Sequence, residues 1–480
     1  MEHPSVPRKP VKASGRRGPR VNSTLVGIAL IIGAGILAVW RPWATPPELI
    51  VSTNTELTPA QQAAAAAGQI LSPRLPRAPA SDRALLMVLP FRDSSPQADQ
   101  GYVAEGLTDD LITALGRTTG LGLIGRHTSF TFQGRAVHAQ AIGQELNVRY
   151  LLEASVERDA GQLKLHVQLI DTSQGNAIWS DRIERPVSDV LIVLDDLTDR
   201  VVTSIAPKLR RREAPRASPA SAETLAALDL VWQARLRRTS ADFNEMSEAR
   251  RKLERAISID PTLAQAYVGL HNVLNQLLLQ RWTVDNQSLA AAQQLLDIAG
   301  KAVSLAPSDP SARAAYADSL TLINQHGTAV AQMESVISAN TTDTELLRAA
   351  ATVMSRAGEF ERSVGLLRRA LRLDPVPQPG HLASPLASSL YLQNNYVEAA
   401  EYAGLCVKRA PSDALCRLWY AASLAQAGKL DEAKEQAAAL KQLGAERSAS
   451  EQARRMAPGY RDPEHLRHIA EGLRKTGLPD

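Results

Sequence analysis

Aromatic side chains make up only 4% of this 480-residue chain, and it has two cysteines. Scarce rings beside abundant alanine suit helices that pack closely. Familiar signatures of chemistry are also missing. The nine histidines are scattered, with no His-Glu-x-x-His pair and no carboxylate-rich metal loop. No Gly-x-x-x-x-Gly-Lys phosphate loop or Gly-x-Ser-x-Gly elbow occurs. Gly120, Gly122 and Gly125 spell GxGxxG, but a helical pattern precedes them and the segment 121–124 is itself strand-like. A dinucleotide loop needs the reverse order, strand before helix. These absences point to a non-enzyme that takes no metal and no cofactor.

Charge is unevenly placed. Of a formal +4, the first 23 residues hold +5, so the remainder sits near −1 and has no bulk attraction for nucleic acid. Residues 24–40 follow, an uncharged apolar run just long enough to cross a hydrocarbon core, with Trp40 and Trp43 at its far edge. The basic flank predicts a cytoplasmic amino terminus. It also predicts inner-membrane lipid around 24–43 and a periplasmic remainder. A cleaved signal peptide has the same layout, but no small-x-small triplet follows promptly.

The organisation then reads as a basic tail (1–23), a transmembrane helix (24–43) and a Pro/Ala/Ser-rich linker (44–82). An α+β domain (83–210), a short linker (211–221), a helical array (222–447) and capping helices (448–480) complete it. Within the α+β domain, 84–91, 121–124, 150–158, 163–170 and 177–183 read as strands, the last three as a meander. Leu163, Leu165, Val167 and Leu169 alternate with Lys164, His166 and Gln168 and so face inward. Residues 102–117, 139–146 and 187–209 have helical spacing. Asp109-Asp110 and Asp195-Asp196 are expected early in such helices, complementing the dipole. His465 and His468 are expected on a solvated face of the last helix, and Arg210–Arg212 in a solvated run at a helix end.

The carboxyl-terminal half repeats a phrase. Ala249, Leu253, Ala256, Ile257 and Pro261 correspond to Ser363, Leu367, Ala370, Leu371 and Pro375. Copies also begin at Leu295, Ala329, Ala399 and Ala433. A period near 34 with small and apolar residues at i, i+4, i+7 and i+8 means stacked helix pairs, about six of them. The step from Pro261 to Pro307 is longer and puts an insertion near residues 280–288. Turns between paired helices fall at Gly358-Glu359-Phe360, Asn394-Asn395-Tyr396 and Gly428-Lys429-Leu430. Cys406 and Cys416 lie five residues either side of Pro411, at matched heights on antiparallel helices. Outside the cytoplasm such a pair can oxidise, closing a loop worth roughly 2–3 kcal/mol. As free thiols, Cys406 would fill the small buried position held by Ala256, Ala302 and Ala370.

The phrase resembles the tetratricopeptide repeat. The middle stretch, through Val88-Leu89-Pro90-Phe91, Ala104–Leu111, Arg126–Phe130, Ile142–Tyr150 and Trp179–Arg182, resembles the TolB amino-terminal-like domain of bacterial signalling proteins. Relatives of that kind carry an effector before the membrane span, a class III adenylate cyclase or a winged-helix regulator. Twenty-three residues hold neither. The resemblance therefore implies a sensor or docking half: an α+β domain followed by an all-α superhelix, tethered by one membrane helix. It further implies a protein or peptide ligand on the first helices of the pairs, at Asn272, Asp318, Arg348, Thr352 and Ser388. The competing readings are a transducer coupled to a separate cytoplasmic effector, and a basic tail that itself binds DNA or anionic lipid.

Overall fold

The computed structural model of the protein describes residues 85–96, 100–117, 122–135, 138–205, 219–238, 243–280, 286–338, 342–375, 380–443 and 447–480. The segment 24–43, the linker 44–82 and Arg210–Arg212 lie outside them. Among the described residues no helix is long and apolar enough to cross a membrane.

The α+β domain contains strands β1 (Leu85–Val88), β2 (Arg92–Asp93), β3 (Gly122–Leu123), β4 (Tyr150–Asp159), β5 (Gln162–Asp171) and β6 (Asn176–Pro186). Its helices are α1 (Gly101–Gly116), α2 (Arg126–Phe130), α3 (Ala139–Leu146) and α4 (Val190–Ile205). The sheet runs β3-β1-β4-β5-β6, with β2 paired to β4. β1 is parallel to β3 and β4, whereas β4, β5 and β6 form the antiparallel meander. Leu163, Leu165, Val167 and Leu169 are buried, as the alternation requires, and pack with Val103, Leu107, Leu111 and Leu115 of α1 and with Val193, Leu197 and Val201 of α4. The two-residue strand β2 and the five-residue helix α2 are too short for any periodicity to show.

Six helix pairs follow: α5 (Ala222–Arg238) with α6 (Phe243–Ile259), α7 (Ala264–Gln280) with α8 (Asn286–Leu305), and α9 (Pro310–Leu322) with α10 (His326–Ile337). The fourth to sixth are α11 (Thr344–Arg356) with α12 (Phe360–Leu373), α13 (Ala383–Leu392) with α14 (Tyr396–Arg409), and α15 (Ala414–Gln426) with α16 (Leu430–Gln442). The repeated phrase lies on every second helix, and its leading positions (Ala249, Ala329, Ser363, Ala399, Ala433) are fully buried. Part of the second-pair insertion is extra helix: α7 and α8 run 17 and 20 residues, against 13 and 12 in the next pair.

One backbone device joins paired helices. Asn324, Gly358, Asn394 and Gly428 each adopt a positive φ. The amide that follows each of them closes onto a carbonyl five residues back, as Glu359 does on Met354 at 2.8 Å. Only Gly, and Asn at small cost, takes this left-handed conformation routinely. Asp309, Asp343 and Asp413 cap the first helix of their pairs by accepting two backbone N–H bonds each. Helices α17 (Ala449–Met456) and α18 (Pro463–Lys475) close the chain.

Candidate functional site

Asn272, Asp318, Arg348, Thr352 and Ser388 come from four successive first helices and line one cavity of about 1230 Å³. Stacking at a constant register brings equivalent positions of α7, α9, α11 and α13 to one concave face. The structure gives these residues unequal freedom. Asp318 accepts from Arg356 Nη1 at 2.8 Å and from Asn275 Nδ2 at 2.6 Å, so its carboxylate is committed inside the array. Ser388 donates to the Pro385 carbonyl at 2.8 Å. The Thr352 hydroxyl turns back to the Arg348 carbonyl at 3.0 Å. Asn272 sits 3.2 Å from the ring of buried His271, whose other nitrogen is 2.8 Å from Ser319 Oγ. Burial holds the His271 imidazole below its ordinary pKa, against an opposing pull from Asp318. His271, Asn275, Arg356 and Tyr460 also line the cavity and escaped the sequence reading, because the first-helix pattern does not separate lining residues from their supports.

The cavity is bordered by the α+β domain and by the carboxyl-terminal segment. On one side, α1, the residue that ends it and α2 of the α+β domain contribute Asp109, Thr113, Arg117 and His127 to the lining. Gly106 lies against the Trp232 ring of α5, and Trp232 Nε1 donates to Asp110 at 3.0 Å. Arg235 pairs with Asp110 at 2.5 Å, Arg126 with Asp109 at 2.9 Å, and Arg117 with Asp309 at 3.1 Å. Further along, Gly125 N donates to the Leu373 carbonyl at 2.6 Å, and Thr128 N to buried Asp374 at 2.7 Å. Two expectations are corrected here. Asp109 and Asp110 lie in the middle of α1, which has no acid in its first turn, and act as anchors for arginines and an indole. Asp195 and Asp196 likewise fall in the second turn of α4, which starts at Val190 rather than at 187. Gly125, the last glycine of GxGxxG, donates its amide to the array.

On the other side the carboxyl-terminal segment folds back. Arg461 N donates to the Arg356 carbonyl at 2.9 Å, and Tyr460 Oη lies 2.9 Å from Ser355 Oγ. His465 and His468 are not on a solvated face. His465 meets Phe360 edge-on at 4.9 Å between ring centroids, and His468 lies 4.9 Å from Tyr391, whose hydroxyl donates to the His468 carbonyl. Aromatic partners from α12 and α13, far away in sequence, pack against both half-buried imidazoles.

In the lining of this cavity His127, Glu345 and His381 converge from α2, α11 and the turn before α13. His381 Nε2 is 2.5 Å from Glu345 Oε1, and His127 Nδ1 is 4.0 Å from that oxygen and 3.0 Å from Asp374 Oδ2. Burial would raise the Glu345 pKa, but His381, Arg348 and His127 outweigh it and hold the carboxyl well below the usual range. Burial pushes the His381 imidazole below its ordinary pKa.

Cys406 and Cys416 stand with Cα atoms 5.8 Å apart across the turn between α14 and α15, and their sulfurs are joined as a disulfide. Gly380, at φ +79°, packs over the pair, directly before His381.

Residues 82–201 match the family model described as HilA/YgeH-like transcriptional regulator, second domain. That span covers the α+β domain and a quarter of the chain. A protein of Rhizobium meliloti (strain 1021) named putative adenylate cyclase 3 is 35% identical over 235 residues, covering 48% of this chain. The chain spans only 39% of that relative's length. Among solved structures, a human IFIT1 dimer with m7Gppp-AAAA superposes at a TM-score of 0.40 with 14% identity, covering 60% of this chain and 64% of that one. PilW, a type IV pilus biogenesis factor, gives 0.36 and 17%, covering 46% and 94%. A tetratricopeptide repeat protein from Parabacteroides merdae gives 0.32 and 14%, covering 52% and 99%. The chain is thus similar to a transcriptional-regulator domain over its α+β portion and, over 235 residues, to a protein named as a cyclase.

Proposed function

We propose that this protein is a non-catalytic sensor and scaffold that captures a protein or peptide segment in the chamber lined by its repeats. In this reading residues 24–43 anchor it in the bacterial inner membrane, with the TolB-like domain and the repeats in the periplasm. The observation that carries the proposal is the convergence on one cavity of Asn272, Asp318, Thr352 and Ser388, which share a repeat position on the first helices, together with neighbouring Arg348. Main-chain groups of an extended segment are the natural partners of Asn272 and Arg348, and the Thr352 and Ser388 hydroxyls, which donate within their own helices, can accept from its amides. The chamber's arginines are largely matched by its own acids, so it presents no net positive field to a nucleic-acid backbone.

Replacing Asn272, Arg348, Thr352 and Ser388 together by alanine should reduce recovery of periplasmic partners by the full-length chain while far-UV circular dichroism stays unchanged. Asp318 is left intact because it supports Arg356. Undiminished recovery would refute the chamber as the binding surface. A reporter fused to the carboxyl terminus that is active only in the cytoplasm would refute the orientation.

The similarity to a cyclase and to a regulator domain favours a second reading, in which the protein couples a periplasmic stimulus to a separate cytoplasmic effector. Photocrosslinkers in residues 1–23 that yield no adduct with a cyclase or transcription factor would count against it.

A further inference from the structure

We propose that His127, Glu345 and His381 form a binding site for one divalent transition-metal ion of the zinc class, which staples the α+β domain to the fourth and fifth repeats. One ring nitrogen from each imidazole and one carboxylate oxygen lie within 4.8 Å of one another. Zinc bonds imidazole nitrogen at about 2.0–2.1 Å, which places tetrahedral ligand atoms about 3.3 Å apart. The observed separations from Glu345 Oε1, 2.5 Å to His381 and 4.0 Å to His127, bracket that spacing. Small side-chain rotations therefore open the cluster around an ion: His381 and Glu345 part, and His127 closes in.

The surroundings suit a metal. All three side chains are partly buried, with exposures of 11% for His127, 32% for Glu345 and 20% for His381, so an ion would enter from the chamber without a fully buried charge. Asp374, completely buried, lies 3.0 Å from that same His127 Nδ1, so an ion would take this nitrogen from Asp374, whose carboxylate keeps its bonds from the Thr128 amide and hydroxyl. Arg348 lies 3.4 Å from Glu345 Oε2, which leaves Oε1 as the ligating oxygen. Two nitrogens and one oxygen form the donor set of three-ligand zinc sites that keep a fourth position open. Magnesium and calcium prefer oxygen alone. The ligands come from elements separated by 218 and 36 residues, so an ion bound here holds the domain and the array in one arrangement.

The test uses the full-length, unreduced chain stripped with EDTA. Zinc chloride titrated against a chromophoric chelator should load one ion per chain and raise the melting temperature. Cobalt(II) should give ligand-field absorption without thiolate charge-transfer bands. The variant His127→Gln/His381→Gln should bind at least about tenfold more weakly, while Cys406→Ser/Cys416→Ser binds as the parent does. Absence of stoichiometric uptake by the parent chain overturns the proposal. So does a thiolate charge-transfer band, which would place the ion on Cys406, Asp413 and Cys416, the other convergent donor set among the described residues. The cobalt spectrum of the parent chain decides the matter even if the histidine variants fold poorly.

Discussion

Gly106 offers the sharpest test of how the α+β domain meets the repeats. A Cβ built there would fall 2.6 Å from Trp232 Cδ1 and 2.7 Å from Cδ2, where ordinary contacts begin near 3.4 Å. The obstacle is a rigid ring, 3% exposed and held by its hydrogen bond to Asp110, so it cannot swing aside like the tip of a lysine. Overpacking of this kind costs about 1–3 kcal/mol. Against it stands the gain of about 1 kcal/mol that alanine brings to a helix interior. Gly106→Ala should therefore lower stability, by up to about 2 kcal/mol. Gly365 provides the control, lying exposed within α12 with nothing inside 4 Å of its virtual Cβ. Gly365→Ala should raise stability by about 0.5–1 kcal/mol. Urea midpoints followed by tryptophan fluorescence separate the two, since the expected signs are opposite. A stabilised Gly106→Ala chain would mean that α1 and α5 do not touch, and the docking described here would be wrong.

Other outcomes follow from the same contacts. Arg356→Met strands the carboxylate of Asp318 within the array and should cost about 3–5 kcal/mol, much of it recovered by adding Asp318→Asn; thermal melts of both would show it. The denatured, unreduced chain should show no reactive thiol, and reduction should lower stability by about 2–3 kcal/mol; two reactive thiols before reduction would refute the disulfide. His271 and His326 both have imidazole pKa values below the ordinary 6.5 because of burial, so the unfolded chain binds protons first as pH falls. Stability should then decline from pH 6.5 downwards, and His271→Gln should flatten that slope in melts between pH 7 and 5.

Much of the architecture was legible from residue order. The period of 34 identified six pairs and the buried position of each phrase, because a 3.6-residue helix must turn the same face inward at every repeat. Alternation along 163–169 specified the inward face of β5 for the same local reason. Repeat phase, with the tetratricopeptide resemblance choosing the first helices, picked out four side chains that line one cavity, Asn272, Asp318, Thr352 and Ser388.

What phase could not supply was the company those side chains keep. Asp318 looks identical in sequence whether it faces a ligand or Arg356. Asp109 and Asp110 read as helix-dipole residues until α5 brings Trp232 and Arg235 against them. His465 and His468 looked solvated until Phe360 and Tyr391 arrived from other helices. The cluster of His127, Glu345 and His381 has no linear signature, since its members come from a five-residue helix, a helix amino terminus and a turn. Helix and strand patterns arise from neighbours a few bonds apart and are written in the order of residues. Partnerships across hundreds of residues depend on how finished elements dock, and only the tertiary structure decided those.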